Sequence, residues 1–107
     1  MLNYFNDRDY TVAVIGAGRG IGRAAAEEMA RHGVSVACLD IDGAAAIETA
    51  GAITANGGHA TASTVDVADE RSIFAAFNGI ARIDGLVNCA VIVPHSVVQD
   101  AVSPGQR

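Results

Sequence analysis

Apolar residues fall in four short blocks, separated by longer stretches of mixed character. Thr11–Ile15 (TVAVI) is an apolar run that stops at a glycine, the pattern of a buried strand. From Arg19 to His32 the spacing becomes helical. Ile21, Ala25 and Met29 recur every four residues on one face, the apolar one, while Arg23, Glu27 and Arg31 share another, and Gly33 is placed as a stop. Ser35–Leu39 is a second apolar run, closing on Asp40. Gly43–Asn56 is alanine-rich, expected to be helical, and ends at Gly57-Gly58. Ala60–Val65 predicts a third, more polar strand. Asp69 is placed to cap a helix with Ile73, Phe77 and Ile80 along one side and the Phe74/Phe77 pair in the core. Leu86–Ala90 predicts a fourth strand.

Strands alternating with helices imply a parallel sheet covered by helices. With right-handed crossovers, the expected fold class is α/β, a Rossmann-type doubly wound parallel sheet. It is partial, with four strands in the order 3-2-1-4 and three helices. Residues 1–107 are expected to form one partial domain, with 1–10 as an N-terminal extension and 92–107 as a loop and an unfinished helix start. In that last stretch Ser103 and Pro104 have the chemistry of an N-cap and a first helical residue. Only Gly105 to Arg107 follow, so a truncated chain is expected.

Charge narrows the partners. Seven basic residues against 12 acidic give a net charge of −5, which argues against a nucleic-acid or membrane-surface partner. All the basic residues are arginine; lysine is absent. The opening MLNYFNDRDY lacks the basic start and apolar core of a secretory leader, and no apolar run approaches the ~20 residues of a membrane span. Cys38 and Cys89 both fall in predicted strands, too far apart for a disulfide and expected to be reduced. A cytoplasmic setting follows.

The stretch TVAVIGAGRGIGRAAAEEM holds four glycines in seven residues, between the first strand and the first helix. Gly16, Gly20 and Gly22 there permit a tight turn and close approach by a pyrophosphate, and the helix start offers N–H donors. Asp40, 18 residues after Gly22 at the end of the second strand, is placed to accept the ribose hydroxyls of an adenosine. The glycine spacing is G-x-x-x-G-x-G, with Ile21 between the last two.

Here the sequence resembles the short-chain dehydrogenase/reductase family, whose glycine motif is T-G-x-x-x-G-I-G. IGAGRGIG matches it from Gly16 to Gly22, with Ile15 in place of the threonine. VDV at Val65–Val67 is similar to the family's Asp-Val after the third strand. The resemblance implies that Asp66 bonds the adenine amino group and that Val67 lines its pocket. VNCAVI is similar to the family's N-N-A-G segment. Asn88 and Ala90 match it, while Cys89 and Val91 replace the second asparagine and the glycine. The implied cofactor is NAD or NADP. Asp40, followed by Ile41, disfavours a 2′-phosphate; Arg19, just before the second motif glycine, is the residue that would meet one. NAD is favoured over NADP.

The resembled family works with a Y-x-x-x-K pair and an upstream serine. This sequence has only Tyr4 and Tyr10 and no lysine, so no catalytic residue is assigned. His32, His59 and His95 form no metal spacing, Ser96 has no general base related to it, and Asp84 is expected to be a solvated turn residue. Two function classes follow. One is the cofactor-binding part of an oxidoreductase acting on an alcohol or carbonyl. The other is a non-catalytic nucleotide-binding or interaction module. The fourth strand, an edge in this order, is expected to drive self-association.

Overall fold

The computed structural model describes residues 10–80 and 82–90. Within them the chain alternates β1 (Thr11–Ile15), α1 (Gly20–Arg31), β2 (Ser35–Asp40), α2 (Gly43–Ala55), β3 (Ala60–Thr64), α3 (Glu70–Asn78) and β4 (Gly85–Asn88). The expectations for residues 1–9 and 91–107, including Val91, His95, Ser96 and the Ser103-Pro104 helix start, lie outside the described residues.

All strand pairs are parallel and the order is β3-β2-β1-β4, as the alternation predicts. β1 is central: Val14 sits between Cys38 of β2 and Val87 of β4. Strand residues face alternate sides, so the one sheet feeds two cores. Val12, Val14, Val36 and Cys38 pack against Ala26, Ala46, Ala50 and Ile53 from α1 and α2. On the other face Ala13, Ile15, Ala37 and Leu39 meet Val65 and Ala76, with Ile73, Phe77 and Ile80 of the α3 region half-buried against them. Burial of β1 and β2 on both faces explains their near-continuous apolar sequence.

Two sequence expectations about burial are corrected. The inner face of α1 is Gly22 and Ala26, with Met29 half-buried, and Ile21 is 81% exposed. Only small residues let this helix approach the sheet closely enough, which turns the face away from its largest apolar side chain. Phe77 is half-buried but Phe74 is 70% exposed, on the outer side of α3. Asp84 lies exposed in the bend before β4, as expected, and it also makes bonds there: its carboxylate accepts the Thr11 N–H at 2.8 Å and pairs with Arg82 at 2.9 Å, which ties the start of β1 to the approach to β4. The Thr11 N–H, followed by Arg82, holds this carboxyl below the usual aspartate range.

Helix ends follow local chemistry. Asp69 Oδ1 accepts the Arg71 N–H at 3.0 Å at the start of α3, as expected of an N-cap. Gly33, at φ +89°, ends α1 in the left-handed region. β4 ends two residues earlier than predicted, because Asn88 Oδ1 accepts the Ala90 N–H at 3.0 Å and bends the chain. Cys38 and Cys89 are free thiols. Burial, with a smaller contribution from Glu27, pushes Cys38 up to about 11, so it remains an unreactive thiol.

Candidate functional site

The carboxyl ends of the four strands meet at one edge of the sheet, where an open α/β sheet builds its ligand crevice. The turn after β1 is folded against two of its neighbours. Gly16 and Ala17 both donate N–H to Leu39 O, at 2.7 and 3.0 Å. Gly16, at φ +84°, lies so close to the segment after β4 that a Cβ there would stand 2.9 Å from Ala90 N. Gly22 faces the same turn from α1, and a Cβ on it would come within 1.9 Å of Gly16 O. Gly20, at φ +59°, is different: its missing Cβ points at open space, with nothing within 4 Å. Two of the glycines therefore serve backbone packing and the third leaves the mouth of the turn clear.

The start of α1 is equally open. Arg19 occupies its N-cap without a side-chain cap, and the first turn holds no acid. α2 and α3, by contrast, are capped by Asp42 and Asp69. An uncapped helix start behind a glycine turn leaves N–H donors and a partial positive charge facing outward. That arrangement fits a phosphate group, because the first turn of α1 carries no acid and a Cβ at Gly20 would meet only open space.

Asp40 sits beside this turn rather than apart from it. Its Oδ2 accepts the Gly18 N–H at 2.8 Å and its Oδ1 accepts the Asp42 N–H at 3.0 Å. A carboxylate offers about four acceptor positions, so two remain. Arg19, 76% exposed, pairs with Asp42 Oδ2 at 2.5 Å. The Ala45 N–H, and then Arg19, hold the Asp42 carboxyl below its ordinary range. Ile41 lies exposed next to Asp40.

The remaining candidates line the same edge. Val65 donates its N–H to Asp40 O at 2.9 Å, which brings the Asp66-Val67 segment alongside the end of β2. Asp66 is held in place by Ser72, whose Oγ accepts its N–H at 2.8 Å, and its own Oδ1 accepts the Ala68 N–H at 3.0 Å. On the opposite side Ala90 lies against Gly16, and Asn88 pairs with Ile15 just before it. Gly16, Asp40, Asp66 and Ala90 thus lie along the carboxyl edge of the sheet. Among the described residues no cluster of His, Cys, Asp or Glu is suited to a metal ion, and no helix is long and apolar enough to cross a membrane.

Sequence reasoning missed three residues of this edge. Gly18 stands outside the matched glycine positions, yet a Cβ on it would lie 2.5 Å from Ala45 Cβ and 2.8 Å from Asp40 Oδ2. Asp42 was passed over as an N-cap, although Asp followed by an alanine-rich helix is the usual signal. Thr49, buried in α2, donates to Ala17 O at 2.9 Å across 32 residues of sequence, and no local pattern reports such a contact.

Known proteins resemble this chain in sequence and in fold. The family model for short chain dehydrogenase matches residues 10–104. The L-rhamnose 1-dehydrogenase (NAD(P)(+)) of Azotobacter vinelandii is 45% identical over 97 residues, covering 82% of this chain and 38% of that enzyme. The short-chain reductase protein NovJ of Streptomyces niveus is 42% identical over 83 residues, 74% of this chain and 32% of that protein. Among solved structures, a hydroxysteroid dehydrogenase from Escherichia coli superposes with a TM-score of 0.71 at 34% identity, covering 80% of this chain and 39% of that one. The chain thus spans about two fifths of the length of the rhamnose and steroid enzymes. The family uses nicotinamide cofactors, and this chain, with its parallel sheet and glycine turn, belongs to the short-chain dehydrogenase family.

Proposed function

We propose that this chain is the dinucleotide-binding portion of a short-chain oxidoreductase, that it prefers NAD to NADP, and that it works in the cytoplasm. The observation that carries the cofactor reading is the Asp40 carboxylate bonded to the Gly18 N–H at 2.8 Å, at the mouth of an uncapped helix start. The pyrophosphate rests over Gly16–Gly22 and the first turn of α1, including Gly20 and Ile21. The two free acceptor positions of Asp40 take the adenosine ribose hydroxyls, beside Ile41. Asp66 and Val67 receive the adenine, while Asn88 and Ala90 flank the nicotinamide ribose. Bound NAD supplies or accepts the hydride for an alcohol or carbonyl substrate.

Preference for NAD follows from charge. A 2′-phosphate would meet the Asp40 carboxylate and would have to take Arg19 from Asp42. Asp40→Ala should weaken both cofactors, because it releases Gly18. It should weaken NAD further, by at least about tenfold, since a hydrogen bond to a charged group contributes roughly 1.5–3 kcal/mol. Calorimetric titration with both cofactors measures the gap. Equal losses would leave Asp40 as a clamp on the turn with no part in recognising the ribose.

Self-association is also proposed. Among the described residues β4 pairs with β1 alone and stands at the end of the sheet order. Leu86 on this edge and Phe74 on α3 are exposed. An open strand edge beside apolar side chains favours pairing between copies. Sedimentation at tens of micromolar should reveal dimers or larger species, and a monomer alone at that concentration would refute it.

A further inference from the structure

Thr49 and Thr54 lie in the same helix and use their hydroxyls differently. Thr54 Oγ1 donates to Ala50 O at 2.9 Å, the ordinary bond of a mid-helix threonine to its own preceding turn. Thr49 turns away from its helix. Its hydroxyl reaches the glycine turn, donating to Ala17 O at 2.9 Å with a longer approach to Gly18 O at 3.4 Å. Both Thr49 and Ala17 are fully buried, so water does not replace this bond.

Ala17 C=O and Gly18 N–H belong to the same peptide unit. Thr49 holds its oxygen end from α2, and Asp40 Oδ2 holds its nitrogen end from β2 at 2.8 Å. A peptide plane gripped at both ends has a fixed orientation. Its neighbours are fixed too, because Ala17 N–H is bonded to Leu39 O at 3.0 Å. The missing side chain of Gly18 lets α2 come close enough for this grip: a Cβ there would collide with Ala45.

We propose that Thr49 is a positioning residue for the dinucleotide site. By holding the Ala17–Gly18 peptide it aligns the phosphate-facing N–H groups that follow and keeps the Asp40 carboxylate at the ribose position. This rests on the reading of the turn as the cofactor site. Thr49 itself touches no cofactor.

The test compares Thr49→Val, which keeps the shape and removes the hydroxyl, with Thr49→Ser, which keeps the hydroxyl and removes a methyl. Two quantities are read for each: hydrogen exchange at the Gly18 amide without ligand, and the dissociation constant for NAD by calorimetry. Thr49→Val should speed Gly18 exchange and weaken NAD by roughly tenfold each, the scale of one buried hydrogen bond. Exchange in β3 should be unchanged relative to global stability. Thr49→Ser should stay within about twofold of the parent on both counts, since its hydroxyl still reaches Ala17 O.

A valine variant with parental Gly18 exchange and parental NAD affinity would overturn the proposal. So would a valine variant in which Gly18 loosens while NAD affinity holds. The serine variant judges the proposal even if the valine variant fails to fold, because a loosened Gly18 in the presence of the hydroxyl also overturns it. Failure of the parent chain to bind NAD would sink the reading of the site as a cofactor site, and with it the cofactor role of Thr49. The exchange contrast would still report on the grip itself.

Discussion

Gly22→Ala is expected to lower the melting temperature by roughly 5–15 °C and to abolish measurable NAD binding, scaled from 4–8 °C per kcal/mol for a domain near this size. The added Cβ would stand 1.9 Å from Gly16 O and 2.7 Å from Gly16 C. These are backbone atoms, so no side chain can swing aside. Gly16 cannot retreat either: its N–H is bonded to Leu39 O at 2.7 Å and its own Cα side lies against Ala90. α1 must therefore move outward, which pulls Ala26 and Met29 off the sheet and opens the phosphate cradle. Overpacking of this kind costs about 1–3 kcal/mol and occasionally more, against a helix-propensity gain of at most about 1 kcal/mol for alanine over glycine. Gly51→Ala is the control. Gly51 lies exposed in α2 with nothing within 4 Å of a would-be Cβ, so the same substitution there should stabilise by roughly 0.5–1 kcal/mol. Thermal unfolding followed by circular dichroism compares the two. If both variants melt alike, the close approach of Gly22 to the turn is not what holds α1 in place.

The same crowding explains where sequence reasoning succeeded and where it did not. Strand and helix order were legible because each element carries its own period, and the parallel order followed from their alternation. The inner face of α1 was not. Hydrophobicity ranks Ile21 above Gly22, but a helix that packs backbone to backbone must present its smallest residues, and Gly22 and Ala26 do so. Phe74 illustrates the complement: an aromatic residue four positions from Glu70 on a short helix has one side against the sheet and one side away from it, and it lies on the latter.

The candidate site residues divide along similar lines. Gly16, Gly20, Gly22 and Asp40 announce themselves because their positions relative to strand ends are local facts. Gly18 and Thr49 do not, since their significance lies in α2 closing on the turn, a contact between segments about 30 residues apart. The bonds of Asp84 are invisible in sequence for the same reason. Its partner Thr11 is 73 residues away in sequence and adjacent only once β1 and β4 are paired. Polar residues whose bonds are made by tertiary closure carry no periodic signature.

By itself, this 107-residue chain is expected to catalyse no hydride transfer, even under conditions where it binds NAD. Hydride transfer to or from a carbonyl carbon needs a proton donor or acceptor within about 3 Å of the reacting oxygen. The chain contains two tyrosines, Tyr4 and Tyr10, and no lysine to lower the pKa of either. Tyr10 immediately precedes β1, with its hydroxyl near Gly85 at the start of β4. The glycine turn follows the other end of β1, roughly 16 Å away at about 3.3 Å per strand residue. Tyr10 is therefore on the wrong edge of the sheet to reach a nicotinamide. Cys38 is a buried thiol held protonated, and the acids of the site edge, Asp40, Asp42 and Asp66, each accept a backbone N–H. Loss of general acid–base help alone removes about 10²–10⁴ in rate, and loss of substrate orientation removes more. The measurement is NADH formation over a broad panel of alcohols, with the purified chain freed of host dehydrogenases and NAD binding checked in parallel. Turnover that co-purifies with the chain and disappears in Gly20→Trp, where the new side chain would fill the open mouth of the turn, would refute the prediction. A second chain, or a residue of this one acting in an unassigned role, would then be completing the site.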